Sequence, residues 1–489
     1  MAPIEFDNSY SRLPSHFYAR VNPETVSDPT LIQVNTDLAG QLGIDTAWLQ
    51  SPDGLAMLSG NRLPDGSDPI SMVYAGHQFG QWVPRLGDGR AILLGEVINS
   101  RGVRFDIQLK GSGRTPYSRQ GDGRAALGPV MREYIVSEAM AALGLPTTRA
   151  LAFVTTGDEV LRETPLPSAV LTRVAQSHVR VGTFQYFHSQ NSIEAMKTLA
   201  DYVIARHYPD AAGEENPYLA LLDGVVNRQA ELIAQWMSIG FIHGVMNTDN
   251  MQIAGETIDY GPCAFMDSFH PDTVFSFIDR NGRYAWGNQP AIGQWNLQRL
   301  ADALMPIIDD DQERAAEMAE ASIGRFGPIF NHRMISIFCQ KMGLSPDIEE
   351  SAKMVGETFA VMAKSSVDFT LFFRQLTRIA SGEDKAEFVS LFDDREAASS
   401  WLLEWRSHVE NDGVPNEERA ASMRQLNPIF IPRNHMIENV IKHGEEGDFK
   451  PFHQMVELLA NPYDEQPECA GFELPPKQDE IVEHTFCGT

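Results

Sequence analysis

The first part of the chain carries a strand-like pattern of apolar residues. Runs rich in Val, Ile, Leu and Phe, bounded by Gly, Asn and Pro, predict strands at 90–97, 103–109, 149–155 and 169–174. Residues 130–143 instead space their apolar side chains at helical intervals, beginning behind a proline and ending before a glycine. We therefore predict a sheet-bearing lobe at 71–185, preceded by an N-terminal extension at 1–70 with one helical stretch near 36–49.

Helical spacing dominates the second part of the chain. Residues 195–206 and 218–240 predict amphipathic or buried helices, and nearly every segment beyond Trp295 has the same period. We predict a helical lobe at 186–300 and a helical C-terminal region with a tail at 301–489. Strands followed by helices indicate an α+β fold class.

Composition limits the classes of protein that fit. The 489 residues are 43% hydrophobic, which is enough for a large core and about two or three packed units. A net charge of -27 disfavours nucleic acid and anionic membrane surfaces as partners, because binding phosphate needs a basic surface. We expect no membrane span, since no run of about eighteen apolar residues occurs. The N-terminus lacks the pattern of a signal peptide and the four cysteines form no disulfide framework, so we expect a cytoplasmic protein.

One stretch has the opposite charge balance. Residues 85–132 hold nine Lys or Arg and four Asp or Glu. The stretch is either a solvated basic face or a site for a polyanion such as a nucleoside triphosphate. Motifs within it favour the polyanion.

Lys110 ends a predicted strand and is followed by a Gly-rich loop and then by the predicted helix. In protein kinases a strand lysine contacts the nucleotide phosphates and is oriented by a helix glutamate. Glu133, near the helix start, is the predicted ion-pair partner, and Glu138 on the same helix is the alternative. In isolation each of these residues is more often a solvated surface charge.

Further candidates for nucleotide contact flank this pair in the sequence. Gly87 and Gly89 precede the first strand, where glycines let backbone N–H groups approach phosphate, although an ordinary hairpin turn has the same pattern. Asp122 and Gly123 form either a plain turn or a second loop over the nucleotide. Two arginines that flank a connecting segment, usually surface residues, could each engage phosphate oxygens bidentately: Arg173 and Arg180.

The most specific motif is the segment 243–250, followed by Asp259-Tyr260-Gly261. It nearly matches the kinase pattern H-x-D-x-x-x-x-N with a later D-F-G, but Val245 replaces the Asp that accepts the substrate proton. Asn250 and Asp259, joined by a predicted hairpin at 251–258, are the candidate ligands of a magnesium ion.

Asp249 is the candidate base in place of Val245. An Asx-turn or a capping residue is the alternative for an aspartate in such a loop. His243 is predicted to pack the loop rather than to titrate in the reaction. The motif thus predicts a nucleotide–metal site without the usual base.

Four segments resemble the selenoprotein O family, and the similarity extends over most of the chain. They are residues 106–119, 243–250, 258–262 and 284–290. The resemblance implies a two-lobed, protein-kinase-like fold and a Mg²⁺- or Mn²⁺-dependent protein adenylyltransferase. Such an enzyme moves AMP from ATP to Ser, Thr or Tyr hydroxyls of proteins, with self-modification among the expected outcomes. It also implies that ATP binds flipped relative to kinases and that pyrophosphate leaves.

The same resemblance implies roles for individual residues. Asp249 is the proton acceptor, and Asn250 and Asp259 bind the metal. In the flipped orientation buried basic side chains hold the γ-phosphate, while the α-phosphate faces the acceptor. The implied nucleotide contacts are Gly87, Gly89, Arg90, Lys110, Asp122, Gly123, Arg173, Arg180 and Asp259.

Two other functions stay open at the level of sequence. One is an ordinary γ-phosphotransferase with Asp249 as a displaced base, and the other is a non-catalytic nucleotide-binding scaffold. Eukaryotic members of the family end in Cys-x-x-selenocysteine, whereas this sequence ends Cys487-Gly488-Thr489. A regulatory disulfide from Cys487 is therefore an expectation without a partner that the sequence can name.

Overall fold

A large antiparallel sheet forms the N-terminal part of the protein. The computed structural model describes residues 4–346, 349–410 and 413–485. Its strands are β1 (Tyr18–Arg20), β2 (Thr30–Val34), β3 (Ile70–Met72), β4 (Gly76–Gln78), β5 (Gln81–Val83), β6 (Ala91–Ile98), β7 (Arg104–Lys110), β8 (Ala125–Ala126), β9 (Arg149–Leu161), β10 (Pro165–Ala175), β11 (Phe241–Ile242) and β12 (Ala264–Phe265). The main sheet has the order β1-β3-β6-β7-β10-β9-β2, with β8 paired to β10.

The four strands predicted from the apolar pattern are confirmed as β6, β7, β9 and β10. The last two run well beyond the apolar runs because they pair with each other as one long hairpin, in which backbone hydrogen bonds extend through partly exposed residues. β10 lies between β9 and β7 and therefore brings its residues beside the end of β7.

Helices make up most of the remaining chain. They are α1 (Thr36–Leu42), α2 (Thr46–Leu49), α3 (Pro52–Leu58), α4 (Leu127–Ala142), α5 (Val181–Ser189), α6 (Ile193–His207), α7 (Pro217–Ser238), α8 (Gln289–Ile308), α9 (Gln312–Gly324), α10 (Phe326–Lys341), α11 (Glu349–Lys364), α12 (Phe369–Ala380), α13 (Ala386–Ser390), α14 (Arg395–Val409), α15 (Asn416–Arg424), α16 (Asn434–Glu445) and α17 (Lys450–Leu459). This mixture confirms the α+β class. In the described part of the chain, no helix is both long enough and apolar enough to cross a bilayer.

The N-terminal segment is a structural layer of the sheet. Its strands β1 and β2 lie at opposite edges of the main sheet. Its helices α1–α3 cover one face, where Leu38 and Leu58 pack with Ile107 and Val170 of the sheet. Residues 4–70, the described part of the segment that the sequence pattern separates as an extension, therefore complete the core of the sheet.

Helix α4 covers the other face and carries Glu133. It ends in a Schellman motif, in which Leu145 N–H donates to Met140 O at 3.0 Å and Gly144 has φ of 83°. From the C-terminal region, α16 and α17 pack on α4. Arg132 of α4 forms an ion pair with Glu438, and the Phe452 ring lies 5.5 Å from that of Tyr134. The C-terminal region thus holds in place the helix that carries Glu133.

The segment between Asn250 and Asp259 is not the predicted hairpin. Its residues form bridges to other parts of the chain, Gln252 with Arg180 and Thr257 with Thr147. The prediction was wrong because these backbone groups find partners in the N-terminal part instead of in each other. The segment therefore ties the two parts of the chain together beside the cleft.

Candidate functional site

A cleft of about 1100 Å³ lies between the sheet and the helical part. Residues from β6, β7, α4 and β10 line one side, and the segment 245–262 lines the other. The structure brings all the predicted site residues to this cleft. They are Gly87, Gly89, Arg90, Lys110, Asp122, Gly123, Glu133, Arg173, Arg180, Asp249, Asn250 and Asp259.

Three cations surround the Asp259 carboxylate. Lys110 Nζ lies 3.2 Å and Arg173 Nη1 2.7 Å from Asp259 Oδ1, and Arg180 Nη1 lies 2.6 Å from Oδ2. Lys110 also pairs with Glu133, whose other oxygen lies 3.2 Å from Arg173 Nη1. The arginines are largely shielded from solvent, since Arg173 and Arg180 are each only 2% exposed, while the Asp259 side chain is 22% exposed. The result is a buried cluster of alternating charge at the inner end of the cleft.

The other helix glutamate lies elsewhere. Glu138 accepts from Arg149 Nη2 at 2.7 Å and from Asn35 and the Ala150 N–H. It thereby joins α4 to the start of β9 and to the N-terminal segment. Of the two candidates weighed from the sequence, Glu133 is therefore the partner of Lys110.

Strand register explains how Arg173 reaches Lys110. The side chains of Gln108 and Lys110 leave β7 on the face opposite Ile107 and Leu109, because neighbours on a strand alternate in direction. Arg173 on β10 is registered with Gln108, and its Nη2 donates to Gln108 Oε1 at 2.7 Å. Gln108 also donates to Asp88 Oδ2 at 3.2 Å. Sequence reasoning missed both Gln108 and Asp88, although the strand period places Gln108 on the Lys110 face.

The electrostatics of Asp259 follow from these contacts. Burial alone would favour its neutral form, but Arg180, Arg173 and Lys110 outweigh burial and hold the pKa of its carboxyl well below the usual range. Its backbone is left-handed with φ of 63°, a conformation that is uncommon outside glycine but that aspartate adopts more readily than most residues. The cation contacts thus keep an ionised carboxylate at this left-handed position.

Asp249 has a different environment ten residues earlier. Its Oδ2 accepts a hydrogen bond from Gln78 Nε2 at 3.1 Å, while its buried Oδ1 has no partner among the described residues. Burial raises the pKa of the carboxyl to about 6, against the opposing effects of Gln78 and Arg180. Arg180 Nη1 contacts the backbone oxygen of Asp249 at 2.6 Å, so this arginine joins the two aspartates.

Asn250 is fixed by the residue that replaces the usual base. Its Nδ2 donates to the Val245 carbonyl at 3.0 Å, and no described residue donates to its amide oxygen. Asn250 lines the cleft. His243 is buried, its Nε2 lies 2.9 Å from Ile258 O, and its Nδ1 accepts from Val245 N–H at 3.3 Å. The histidine thereby connects the Val245 turn with the residue before Asp259.

A divalent metal fits this donor set. Mg²⁺ and Mn²⁺ prefer carboxylate and carbonyl oxygens and take few of them from protein. The Asn250 amide oxygen and the Asp259 carboxylate, whose oxygens contact Lys110, Arg173 and Arg180, are oxygen donors of this kind within one cleft.

The Gly-rich positions are set by close packing. A Cβ on Gly87 would lie 2.4 Å from the Tyr117 ring, and Gly87 has φ of 76°. A Cβ on Gly89 would lie 2.9 Å from Tyr117 O. The loop 111–124 therefore packs directly on the turn before β6, and both segments line the cleft.

Asp122, Gly123 and Arg90 lie at the outer part of the cleft. Asp122 forms an ion pair with Arg162 at 2.7 Å and also caps the Arg124 N–H at 2.9 Å. Gly123 has φ of 69°, and a Cβ there would lie 2.0 Å from Gly113 O. Arg90 is half-buried and lines the cleft. These residues form a rim around the cleft, whereas Lys110, Arg173 and Arg180 form its inner end.

Similarity to known proteins identifies the family. A family model described as protein adenylyltransferase SelO matches residues 1–460. The chain belongs to this family. It is therefore an enzyme of the nucleotidyltransferase class, and its activity is adenylyl transfer to protein.

Relatives of the SelO family match along almost their whole length. The chain is 55% identical to the protein nucleotidyltransferase YdiU of Nitrobacter winogradskyi over 489 residues, which is 100% of this chain and 97% of the relative. The protein of the same name from Rhodopseudomonas palustris strain BisB5 is 56% identical, with 99% of each chain covered. That of Rhizobium meliloti strain 1021 is 55% identical, with 100% of each covered.

Proposed function

We propose that this SelO-family enzyme transfers AMP from ATP to Ser, Thr or Tyr hydroxyls of proteins, its own chain included, with ATP flipped relative to protein kinases. The observation that carries the proposal is the location of Lys110, Arg173 and Arg180. Their positive charges are buried at the inner end of the cleft. A triphosphate that enters with its γ end inward meets these cations first, so its α-phosphate stays near Asp249. The helical and sheet-bearing parts then correspond to the two lobes of a kinase-like fold.

The cation cluster can accept phosphate without building a new site. Its three positive groups are matched by Asp259, Glu133 and, at 3.7 Å from Arg180, by Asp88. Phosphate oxygens that enter the cluster replace carboxylate oxygens as partners of the same donors. Binding therefore exchanges one set of charge-assisted contacts for another, and the Asp259 carboxylate that phosphate displaces becomes available to a metal ion.

Asn250 and Asp259 would hold Mg²⁺ or Mn²⁺ in this enzyme. When bound, the ion would neutralise part of the phosphate charge. The remaining catalysis is positioning by the cleft and its fixed cations.

The proposed transfer has a simple balance. The acceptor hydroxyl oxygen bonds to the α-phosphorus, the bond from that phosphorus to the oxygen bridging to the β-phosphate breaks, and pyrophosphate leaves with the electron pair. The hydroxyl proton passes to the Asp249 carboxylate. Asp249 is the proposed acceptor because it lines the cleft beside Asn250, in the loop where Val245 removes the usual base.

A label experiment tests the proposal. The protein is incubated with Mg²⁺ or Mn²⁺ and ATP labelled at the α- or the γ-phosphate, and label on protein is counted. We expect incorporation from the α position only, with an AMP-sized increase in the intact mass of a self-modified chain. Incorporation from the γ position alone would establish the phosphotransferase alternative, and no incorporation from either would favour a scaffold.

We also retain the cytoplasm as the proposed location, on the basis of the four cysteines without paired spacing. The proposed partners are proteins with accessible hydroxyls, and nucleic acid is not among them because of the charge of -27. Cys487 lies outside the described residues, and its expected regulatory disulfide stays a prediction.

A further inference from the structure

A short hairpin from the N-terminal part is hydrogen-bonded to the loop that carries Asp249. The hairpin consists of β4, the turn Phe79-Gly80 and β5. Its residues 77–79 contact three consecutive residues of the loop, 247–249. The contacts are His77 N to Thr248 Oγ1 at 2.7 Å, Gln78 Nε2 to Asp249 Oδ2 at 3.1 Å and Phe79 N to Asn247 Oδ1 at 2.9 Å.

Gln78 makes the contact that reaches the reacting group. Two of the three hydrogen bonds come from hairpin backbone and hold the loop. The third comes from the Gln78 side chain and falls on the carboxylate of Asp249. Asp249 is 6% exposed, and its Oδ1 has no partner among the described residues, so the Gln78 amide is the hydrogen-bond donor that orients this carboxylate among those residues.

The start of the hairpin also limits the carboxylate. A Cβ on Gly76 would lie 2.4 Å from Asp249 Oδ1, which is too close for any side chain. The Phe79 turn has φ of 50° and is held in place by the Tyr284 ring at 5.1 Å. Tyr284 in turn donates to Asn247 Oδ1 at 2.6 Å. The hairpin is therefore held in place by packing and hydrogen bonds, and it packs directly against the Asp249 carboxylate.

We propose that Gln78 is a positioning residue, which holds the Asp249 carboxylate in the orientation that accepts the proton of the acceptor hydroxyl. This inference rests on the proposed role of Asp249. A neutral amide suits the task, because a cation at this place would compete with the hydroxyl proton for the carboxylate. Orientation errors of about 1 Å cost on the order of a hundredfold in rate, so a single hydrogen bond can have a large effect on turnover.

The test is a set of matched substitutions in the full-length protein. Gln78→Met keeps the size of the side chain and removes its donor. Gln81→Met is the control, since Gln81 is exposed on the same hairpin and pairs with Gln78 through backbone. We expect Gln78→Met to lower kcat about tenfold or more, with KM for ATP unchanged within about twofold. Gln81→Met should match wild type, and Gln78→His, which can present a ring N–H, should recover part of the rate.

A double-mutant cycle separates positioning from general disruption. Asp249→Asn is combined with Gln78→Met. For wild type, both single variants and the double variant, kcat is measured with ATP labelled at the α-phosphate and with ATP labelled at the γ-phosphate. If Gln78 acts through Asp249, its substitution has no further effect once the carboxylate is gone. Multiplied losses, or a wild-type rate for Gln78→Met, would overturn the inference.

A second variant covers the case in which Gln78→Met melts at a lower temperature. Gly76→Ala pushes directly on Asp249 Oδ1 and should give the same loss of kcat at constant KM for ATP. A wild-type kcat for Gly76→Ala would contradict the proposed packing of the hairpin against Asp249.

If wild type transfers the γ-phosphate, the proposed function fails, while the double-mutant cycle still tests the role of Gln78 in that reaction. No transfer of either label overturns both.

Discussion

Two aspartates ten residues apart occupy opposite environments in one cleft. Asp259 is held by Lys110, Arg173 and Arg180, and its pKa is well below the usual range because these cations outweigh burial. Asp249 is more deeply buried, at 6% exposed against 22% for the Asp259 side chain, and burial raises its pKa to about 6. Among the described residues, its carboxylate accepts a hydrogen bond from the neutral Gln78 amide and none from a cation. Divergent environments for two like groups are typical of sites in which one binds and the other exchanges a proton.

The difference between the two pKa values separates the effect of burial from the effect of nearby cations. Desolvation disfavours the charged form of both carboxyls, and the nearby cations decide which of them stays ionised. Arg180 contacts both residues, through the Asp259 carboxylate and the Asp249 backbone oxygen. Arg180 thus helps to keep Asp259 ionised, together with Arg173 and Lys110, and also holds the backbone of Asp249.

Substitution of Asp259 should have the largest effect. Asp259→Asn leaves three buried cations with a missing counter-ion, so we expect the free energy of unfolding to fall by about 3 kcal/mol and transfer to fall more than about a hundredfold. Thermal melting and α-label incorporation measure the two effects. Inorganic triphosphate should raise the melting temperature of the variant more than that of wild type. Equal melting temperatures without added anion would contradict the cation cluster.

Substitution of Asp249 should separate activity from stability. Asp249→Asn removes a buried carboxylate with an unpartnered oxygen, so we expect an unchanged or higher melting temperature. The same change should lower kcat by about 10²- to 10⁴-fold, because the proposed base is lost. A loss of stability as large as that of Asp259→Asn would show that the two aspartates are equivalent.

The two glutamates of α4, Glu133 at the cation cluster and Glu138 outside the cleft, test whether the cation cluster binds ATP. Glu133→Gln loosens Lys110 and Arg173, and we expect about a tenfold loss in kcat/KM for ATP. Glu138→Gln is the matched control, since Glu138 binds Arg149 and Asn35 outside the cleft. It should lower the melting temperature and leave kcat/KM unchanged. Steady-state kinetics with varied ATP tests both, and an effect of Glu138→Gln on kcat/KM would refute the assignment.

A third buried carboxyl predicts a pH effect on stability alone. Burial raises the pKa of Glu256 to about 8, against the hydrogen bond from Gln176 N–H at 3.0 Å. The folded state therefore retains a proton that the unfolded chain releases above its ordinary value near 4.5. The stabilisation is complete below that value and is lost as pH rises toward 8, at up to about 1.4 kcal/mol per pH unit.

The Glu256→Gln side chain cannot ionise. The melting temperature of this variant, relative to that of wild type, should therefore rise between pH 5 and pH 8, the range set by the raised pKa of Glu256. The exposed Glu320→Gln serves as the control and should show a constant difference. A constant difference for Glu256→Gln as well would mean that Glu256 is ionised throughout.

Local pattern was sufficient for many elements of this protein. The strands β6 and β7 follow from apolar runs bounded by turn residues, and α4 follows from helical spacing that ends at Gly144. The site loop at 243–250 was recognisable because its spacing is a local property of the chain. The hairpin expected at 251–258 was wrong, since its backbone partners lie about 70 to 110 residues earlier, at Arg180 and Thr147.

The sequence by itself determined the α+β class, the family and the residue types that line the cleft, because these depend on local period and on motif spacing. Tertiary structure decided which charges meet. Strand register set Arg173 beside Lys110, a distant hairpin set Gln78 against Asp249, and α16 and α17 closed over α4. Such contacts join residues separated by tens to hundreds of positions, and no local pattern records the packing and desolvation that bring them together.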